Sequence, residues 1–225
     1  MAKLRFGITM SLDGYVAGPN QSVTQPLGEG GERLHEWAFA VRSFRELHGL
    51  EGGATGTDDE VAAESLRNVG ATIMGRHMFG GGDRTWGDDP WKGWWGENPP
   101  FHTPVFVLTH HAREPLEMEG GTTFHFVTEG IHAALERALA AAGGKDVHLG
   151  GGAEVAQQYL KAGLIDEMEI HVVPVLLGDG ARLFEHMDGR QTGYECVRVV
   201  SSASVCHFKY RKRTWAPDGT AAEPT

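Results

Sequence analysis

The chain has 225 residues, 40% of them hydrophobic and 22% charged, enough apolar material for one large domain with its own core. A formal net charge of −10 excludes a general nucleic-acid binder, which needs clustered Lys and Arg to neutralise phosphates. It leaves room for a local basic pocket around an anionic cofactor. No stretch approaches the roughly 18 apolar residues that cross a bilayer. Residues 1–10 read as a strand and not as a secretory signal, so a reduced, cytoplasmic protein is expected, with Cys196 and Cys206 as buried free thiols.

In chain order, residues 4–10 form the first predicted strand, Asp13-Gly14 a turn, and 15–17 a short extended piece. Residues 32–48 place Leu34, Trp37, Ala38, Val41 and Phe44 at helical spacing and predict one helix. A glycine-rich loop spans 49–56. Thr57-Asp58-Asp59-Glu60 has the form of a capping box, so a second helix should start there and run to about Asn68. A strand over 71–74, a glycine-rich turn over 75–82 and an irregular, tryptophan-rich loop over 83–100 follow. Residues 104–108 and 122–127 are strand-like, and Thr128 is placed to cap a helix over 131–142. A strand over 146–149 runs into Gly150-Gly151-Gly152, and a helix continues to about Ala162. Met168, Ile170 and Val172 then alternate with Glu167, Glu169 and His171, the pattern of a half-buried strand. Strands over 195–200 and 205–212 close the domain, and the tail 217–225 has the composition of a disordered end. Strands alternating with helices imply a largely parallel sheet covered on both faces, and the late hairpin implies antiparallel strands at one edge. This makes one α/β domain, 1–216.

Ligands of such sheets bind beyond the carboxyl ends of the strands, where glycine turns lead into helices. Three turns meet that description. In Gly75-Arg76-His77 the glycine permits close approach, and the two bases offer a fork and an imidazole to phosphate. Gly150-Gly151-Gly152-Ala153 offers backbone amides at a helix start, without the G-x-G-x-x-G spacing of a Rossmann site. Thr109-His110 follows the strand over 104–108, and no metal-ligand spacing accompanies its histidines. Asp13, in Ser11-Leu12-Asp13-Gly14-Tyr15, stands at a strand end where a carboxylate could orient or protonate a substrate, or simply hold a turn.

Taken in order, Ser11 to Gly18, Met74-Gly75-Arg76-His77, Gly150 to Ala153, and the run from Gly163-Leu164-Ile165-Asp166-Glu167 through Pro174-Val175-Leu176-Leu177-Gly178 to Gly180 and Leu183-Phe184 resemble the dihydrofolate-reductase-like superfamily. They are most similar to its branch of reductase domains from the bifunctional riboflavin-biosynthesis deaminase–reductase. The resemblance spans about residues 3–213. It implies a three-layer dihydrofolate-reductase-like fold, NADPH as hydride donor, a small heterocyclic substrate and a homodimer. A deazaflavin- or flavin-dependent reductase and a non-catalytic nucleotide sensor are the competing readings. Carried onto this chain, Arg76 and His77 would hold the 2′-phosphate side, Thr109 and His110 the adenosine phosphate, and Gly150, Gly151, Gly152 and Ala153 the pyrophosphate. Gly75 would allow the close approach. Thr9, Val16 and Ala17 would meet the nicotinamide. Asp13 is the leading catalytic or orienting candidate. Dihydrofolate reductases carry an acid on the first helix at a position that falls here near Leu34, so Glu36 would be a substitute, and folate reduction is not implied. Met78 stands where the family has a hydroxyl residue.

Overall fold

The computed structural model describes residues 1–80, 85–86, 91–185, 187 and 193–213. The expected disordered tail, 217–225, lies outside the described residues, as do parts of the predicted 75–82 turn and 83–100 loop. The strands are β1 (Leu4–Ser11), β2 (Tyr15–Ala17), β3 (Val69–Gly75), β4 (Pro104–Leu108), β5 (Leu116–Glu117), β6 (Thr123–Val127), β7 (Asp146–Gly151), β8 (Glu167–Val173), β9 (Ala181–Arg182), β10 (Tyr194–Ser201) and β11 (Cys206–Lys212). Nine of them form one sheet in the order β10-β11-β8-β1-β7-β3-β4-β6-β5, and β2 pairs with β9 separately. The six strands from β8 to β6 in that order run parallel. Within that sheet the antiparallel pairs are those of β11, β10 and, at the opposite edge, β5; the separate β2–β9 pair is antiparallel as well.

The described residues hold six α-helices: α1 (Glu36–Ala40), α2 (Arg42–Leu47), α3 (Thr57–Leu66), α4 (Arg76–Phe79), α5 (Ile131–Ala141) and α6 (Ala153–Lys161). On one face of the sheet, Phe6, Ile73, Val147, Leu149 and Ile170 pack with Ala134, Ala138, Ala156, Tyr159 and Leu160 of α5 and α6. The opposite face carries two clusters. One gathers Leu34, Trp37, Ala38, Val41 and Ala62 over Val173; the other gathers Phe79, Trp86, Trp91, Trp95 and Phe101 over Met74, Val105, Val107 and Phe124. Together these make the three-layer, mostly parallel α/β fold that the order of elements predicts.

Several local expectations are corrected. The single helix expected over 32–48 is a 3-10 turn (Gly31–Leu34) followed by α1 and α2. Val41 is extended (φ −88°, ψ 150°) because it bridges to Ala54: Arg42 N–H donates to the Ala54 carbonyl at 2.9 Å, and Ala54 N–H to Ala40 at 2.7 Å. Helical periodicity survives such a break because the same face is buried on either side of it. The capping box at Thr57 does not form. Gly56 (φ 118°) precedes α3 with no side-chain cap, and Gly130 (φ 91°) takes the place expected of Thr128 before α5. The acidic side chains at the start of α3 serve other elements: Asp59 accepts from Ser43 N–H at 2.7 Å in the first turn of α2, beside Arg42 at 3.5 Å. Gly150 and Gly151 extend β7 and do not belong to the turn. Both cysteines are free, but neither is fully buried: Cys196 is exposed and Cys206 only partly covered.

Strand β8 departs from the half-buried expectation, because its polar face is buried as well. Glu169 accepts from Ser65 of α3 and lies 3.0 Å from Lys209; Lys209 also meets Glu64 at 2.6 Å. Its alternation of polar and apolar residues therefore records two buried faces of different chemistry.

The Asp59 contact generates a testable expectation. Its hydrogen bonds from Ser43 hold the carboxyl below its ordinary value. The stability it contributes is full above the unfolded carboxylate pKa of about 3.9 and is lost as pH falls through the lower folded value. Asp59→Ala should cost about 1–2 kcal/mol in urea unfolding at pH 7, and the loss should shrink below pH 4.

Candidate active site

All six parallel strands present their carboxyl ends at one edge of the sheet. Adjacent there are the end of β7 at Gly151, the end of β3 at Gly75 and the end of β4 at Leu108, so the three predicted turns sit side by side. Arg76 and His77 open α4 directly after β3, Thr109 directly follows β4, and Gly152-Ala153 opens α6 directly after β7. Between the two clusters on the face opposite α5 and α6 runs β7, with His148 and Gly150 turned to that side. The carboxyl end of β7 thus lies between β1, which Trp37 reaches, and β3, which α4 follows.

Glycine is required at two positions in this rim. A Cβ on Gly75 would lie 2.7 Å from Val155 Cγ2, so α6 rests directly against the end of β3. Gly151 has φ +119°, which disfavours any other residue, and its peptide with Gly152 is cis. A Cβ on Gly150 would meet the Met78 methyl at 3.1 Å, so the Met78 thioether fills the space left by the missing side chain. Nothing lies within 4 Å of a Cβ built on Gly152. That glycine precedes α6 with no side-chain cap, so the amides of the helix's first turn face the rim.

The basic residues are partly engaged. The Arg76 guanidinium lies 3.6 Å over the Trp86 ring and donates to the Gly80 carbonyl. His77 is half exposed, with Nδ1 3.9 Å from a Glu154 carboxylate oxygen. Thr109 is buried and accepts from the His111 amide at 3.2 Å, whereas His110 is exposed.

Asp13 occupies the rim beyond β1, and its oxygens are taken. Ser11 Oγ donates to it at 2.6 Å, Leu177 N–H at 3.2 Å and Gly178 N–H at 2.7 Å. The Ser11 hydroxyl and these amides hold its carboxyl down at about 2. It is a fixed anion that ties the β8–β9 loop to the β1–β2 turn, suited to orienting a partner and not to giving up a proton. Glu36 is exposed on α1; the residue of that helix that reaches β1 is Trp37, whose Nε1–H donates to Thr9 Oγ1 at 3.1 Å. Thr9 is therefore covered, though its own hydroxyl hydrogen stays available to donate. Val16 and Ala17 are buried in β2 beside β9.

Three residues that motif reasoning passed over stand behind Trp37. His171 and His207, both buried, join Nδ1 to Nδ1 at 2.8 Å, and His207 Nε2 donates to Asp58 at 3.1 Å. Only the polar half of the alternating β8 pattern signalled His171.

Three outcomes follow. Gly75→Ala should force α6 away from β3 and lower stability by about 1–3 kcal/mol, read by thermal or urea unfolding. Asp13→Asn should loosen the 174–178 loop, read by faster proteolysis there. Because the Asp13 carboxyl stays ionised down to about pH 2, its contribution to folding should persist across pH 4–8 and fade only in stronger acid.

The model of the RibD C-terminal domain family matches residues 2–208. Among solved structures, a protein of Shewanella sp. PV-4 assigned to riboflavin biosynthesis superposes with TM-score 0.58 at 22% identity, over 94% of this chain and 99% of that one. Acinetobacter baumannii RibD superposes with TM-score 0.53 at 18% identity, over 95% of this chain and 59% of that one. A dihydrofolate reductase from Enterococcus faecalis, complexed with NADP(H), superposes with TM-score 0.51 at 13% identity, over 93% and 96%. At these identities the likeness establishes the fold. In sequence, a 62-residue stretch is 39% identical to the uncharacterized protein YwjB of Bacillus subtilis, covering 28% of this chain and 35% of that relative. With a match across almost the whole described domain and a fold shared with those structures, this chain belongs to the RibD C-terminal domain family.

Proposed function

We propose that the chain is a reductase that uses NADPH to deliver a hydride to a C=N or C=O bond of a small pyrimidine- or pterin-like substrate. The observation that carries this reading is the side-by-side placement of three loops at one sheet edge, with an uncapped helix start and open space at Gly152 between them. Family membership and the NADP(H) complex of the E. faecalis neighbour support it.

The residues present fit such a cofactor. Gly152 and the first amides of α6 offer donors to a pyrophosphate where no Cβ intrudes. Arg76 and His77 would take the 2′-phosphate side, and Thr109 and His110 the adenosine phosphate. The Thr9 hydroxyl, Val16 and Ala17 would lie toward the nicotinamide, and the Asp13 anion would orient the substrate. When bound, the cofactor would supply the hydride, and the protein would supply its orientation against the substrate.

Titration with NADPH should quench tryptophan fluorescence, since Arg76 lies on the Trp86 ring. Arg76→Ala should weaken NADPH about 10- to 100-fold, the worth of a charge-assisted phosphate contact, while NADH binding changes little. Equal losses for the two nucleotides would remove Arg76 from the 2′-phosphate, and no binding of either would remove the reading itself.

A further inference from the structure

The phosphate-facing residues nominated above stop at His110, yet the loop after β4 carries one more cation. Arg113 lies shortly beyond Thr109 and is partly exposed. Its guanidinium carbon stands 4.8 Å from the centroid of the Trp86 ring and 4.9 Å from that of Phe126. Trp86 is also the ring on which the Arg76 guanidinium rests, at 3.6 Å. One indole therefore holds the cation that opens α4 after β3 and the cation of the loop after β4. The ring is fixed in place. Its Nε1–H donates to the His111 carbonyl at 2.9 Å, and the His111 amide donates to Thr109 Oγ1 at 3.2 Å. Phe126 and Phe79 meet it edge-on at 4.8 and 5.9 Å.

The indole face attracts each cation, but two like charges at one ring repel. Burial also works against the Arg113 charge and holds its pKa below the ordinary value. Among the described residues Arg113 forms no ion pair with a carboxylate, and its one hydrogen bond runs from Nη1 to the Trp91 carbonyl at 2.6 Å. The other donors of its fork have no acceptor there. In a chain with 30 acidic and 20 basic residues, an arginine set beside another arginine, and not beside an acid, calls for an anion from outside.

We propose that Arg113 and Arg76 together grip one phosphomonoester, with Trp86 as the plate that sets both forks. Arg113 is then a second determinant of selectivity for a 2′-phosphorylated nucleotide. This rests on the NADPH reading above. Helix α6 starts after β7, on the far side of β3 from β4, so the end of the nucleotide at Arg113 is the one remote from the α6 amides. A phosphomonoester brings three terminal oxygens and nearly two negative charges at pH 7, enough to meet two forks. The ribose hydroxyl of NADH brings neither. Each planar guanidinium matches the phosphate with paired hydrogen bonds, which an ammonium group cannot do.

The test is calorimetric titration of the full chain with 2′,5′-ADP, which carries the 2′-phosphate, and with 5′-AMP, which lacks it. Arg113→Gln should weaken 2′,5′-ADP about 10- to 100-fold and leave 5′-AMP unchanged. Equal losses for the two nucleotides, or an unmoved affinity for 2′,5′-ADP, overturn the role. A second readout leaves the side chain in place and covers a variant that fails to fold. In ¹⁵N NMR of the wild type, the Nε resonances of Arg76 and Arg113 should both shift with 2′,5′-ADP and stay put with 5′-AMP. A shift of Arg76 alone overturns the shared grip. NADPH binding that is indifferent to Arg113 removes the grip and leaves the reductase reading. Arg113-dependent binding of 2′,5′-ADP by a chain that does not bind NADPH supports the grip and removes the reductase reading. Failure of the wild type to bind either ligand overturns both.

Discussion

The rim depends on how closely α6 approaches the end of β3. Gly75 leaves no side chain between the strand and Val155, and a single added carbon would come within 2.7 Å of the valine methyl. Because the helix sits there, its uncapped first turn opens at the same edge as Arg76, and Gly152 has free space in front of it. Strand β7 lies next to β3, and β4 lies beyond it, so three chain segments, separated by dozens of residues in sequence, come together at one edge of the sheet. Met78 reinforces the arrangement by filling the space over Gly150.

The central strand β1 shows how the two sides of the sheet divide their work. Leu4, Phe6, Ile8 and Met10 enter the apolar layer beneath α5 and α6. Arg5, Gly7, Thr9 and Ser11 face α1–α3, where the sheet carries charge and hydrogen-bonding groups under cover. Buried charges are tolerated there because each finds partners: Glu169 has Ser65 and Lys209, and Arg5 donates to carbonyls at Glu64 and Arg67. A layer of this kind is costly as a pure stabiliser, since desolvation offsets much of the Coulomb gain.

Much of the architecture was legible along the chain. Alternating strands and helices placed the parallel sheet, and glycine turns after β3 and β7 marked the rim. The boundaries that failed did so for nonlocal reasons. Val41 left the helix because Ala54, thirteen residues on, offers its backbone a partner. Thr57-Asp58-Asp59-Glu60 reads as a capping box, yet no side-chain cap forms, and the Asp58 and Asp59 carboxylates go to His207 and Ser43, which lie in other elements. A short polar side chain at a helix start competes among all donors within reach, and only some of those are neighbours in sequence.

By itself, then, the sequence determined most of the longer strands and helices, the parallel sense of the sheet, and the glycine-rich turns that follow β3 and β7. Periodicity and backbone conformation are local physics, and they can be read locally. The tertiary structure decided which polar residues meet: that Asp13 spends its oxygens on Leu177 and Gly178, that Trp37 and not Glu36 reaches β1, and that His171 and His207 share one hydrogen bond. Those pairings arise from strand order and register across distant parts of the chain. No motif spacing encodes a contact whose partners come together only when the sheet is assembled.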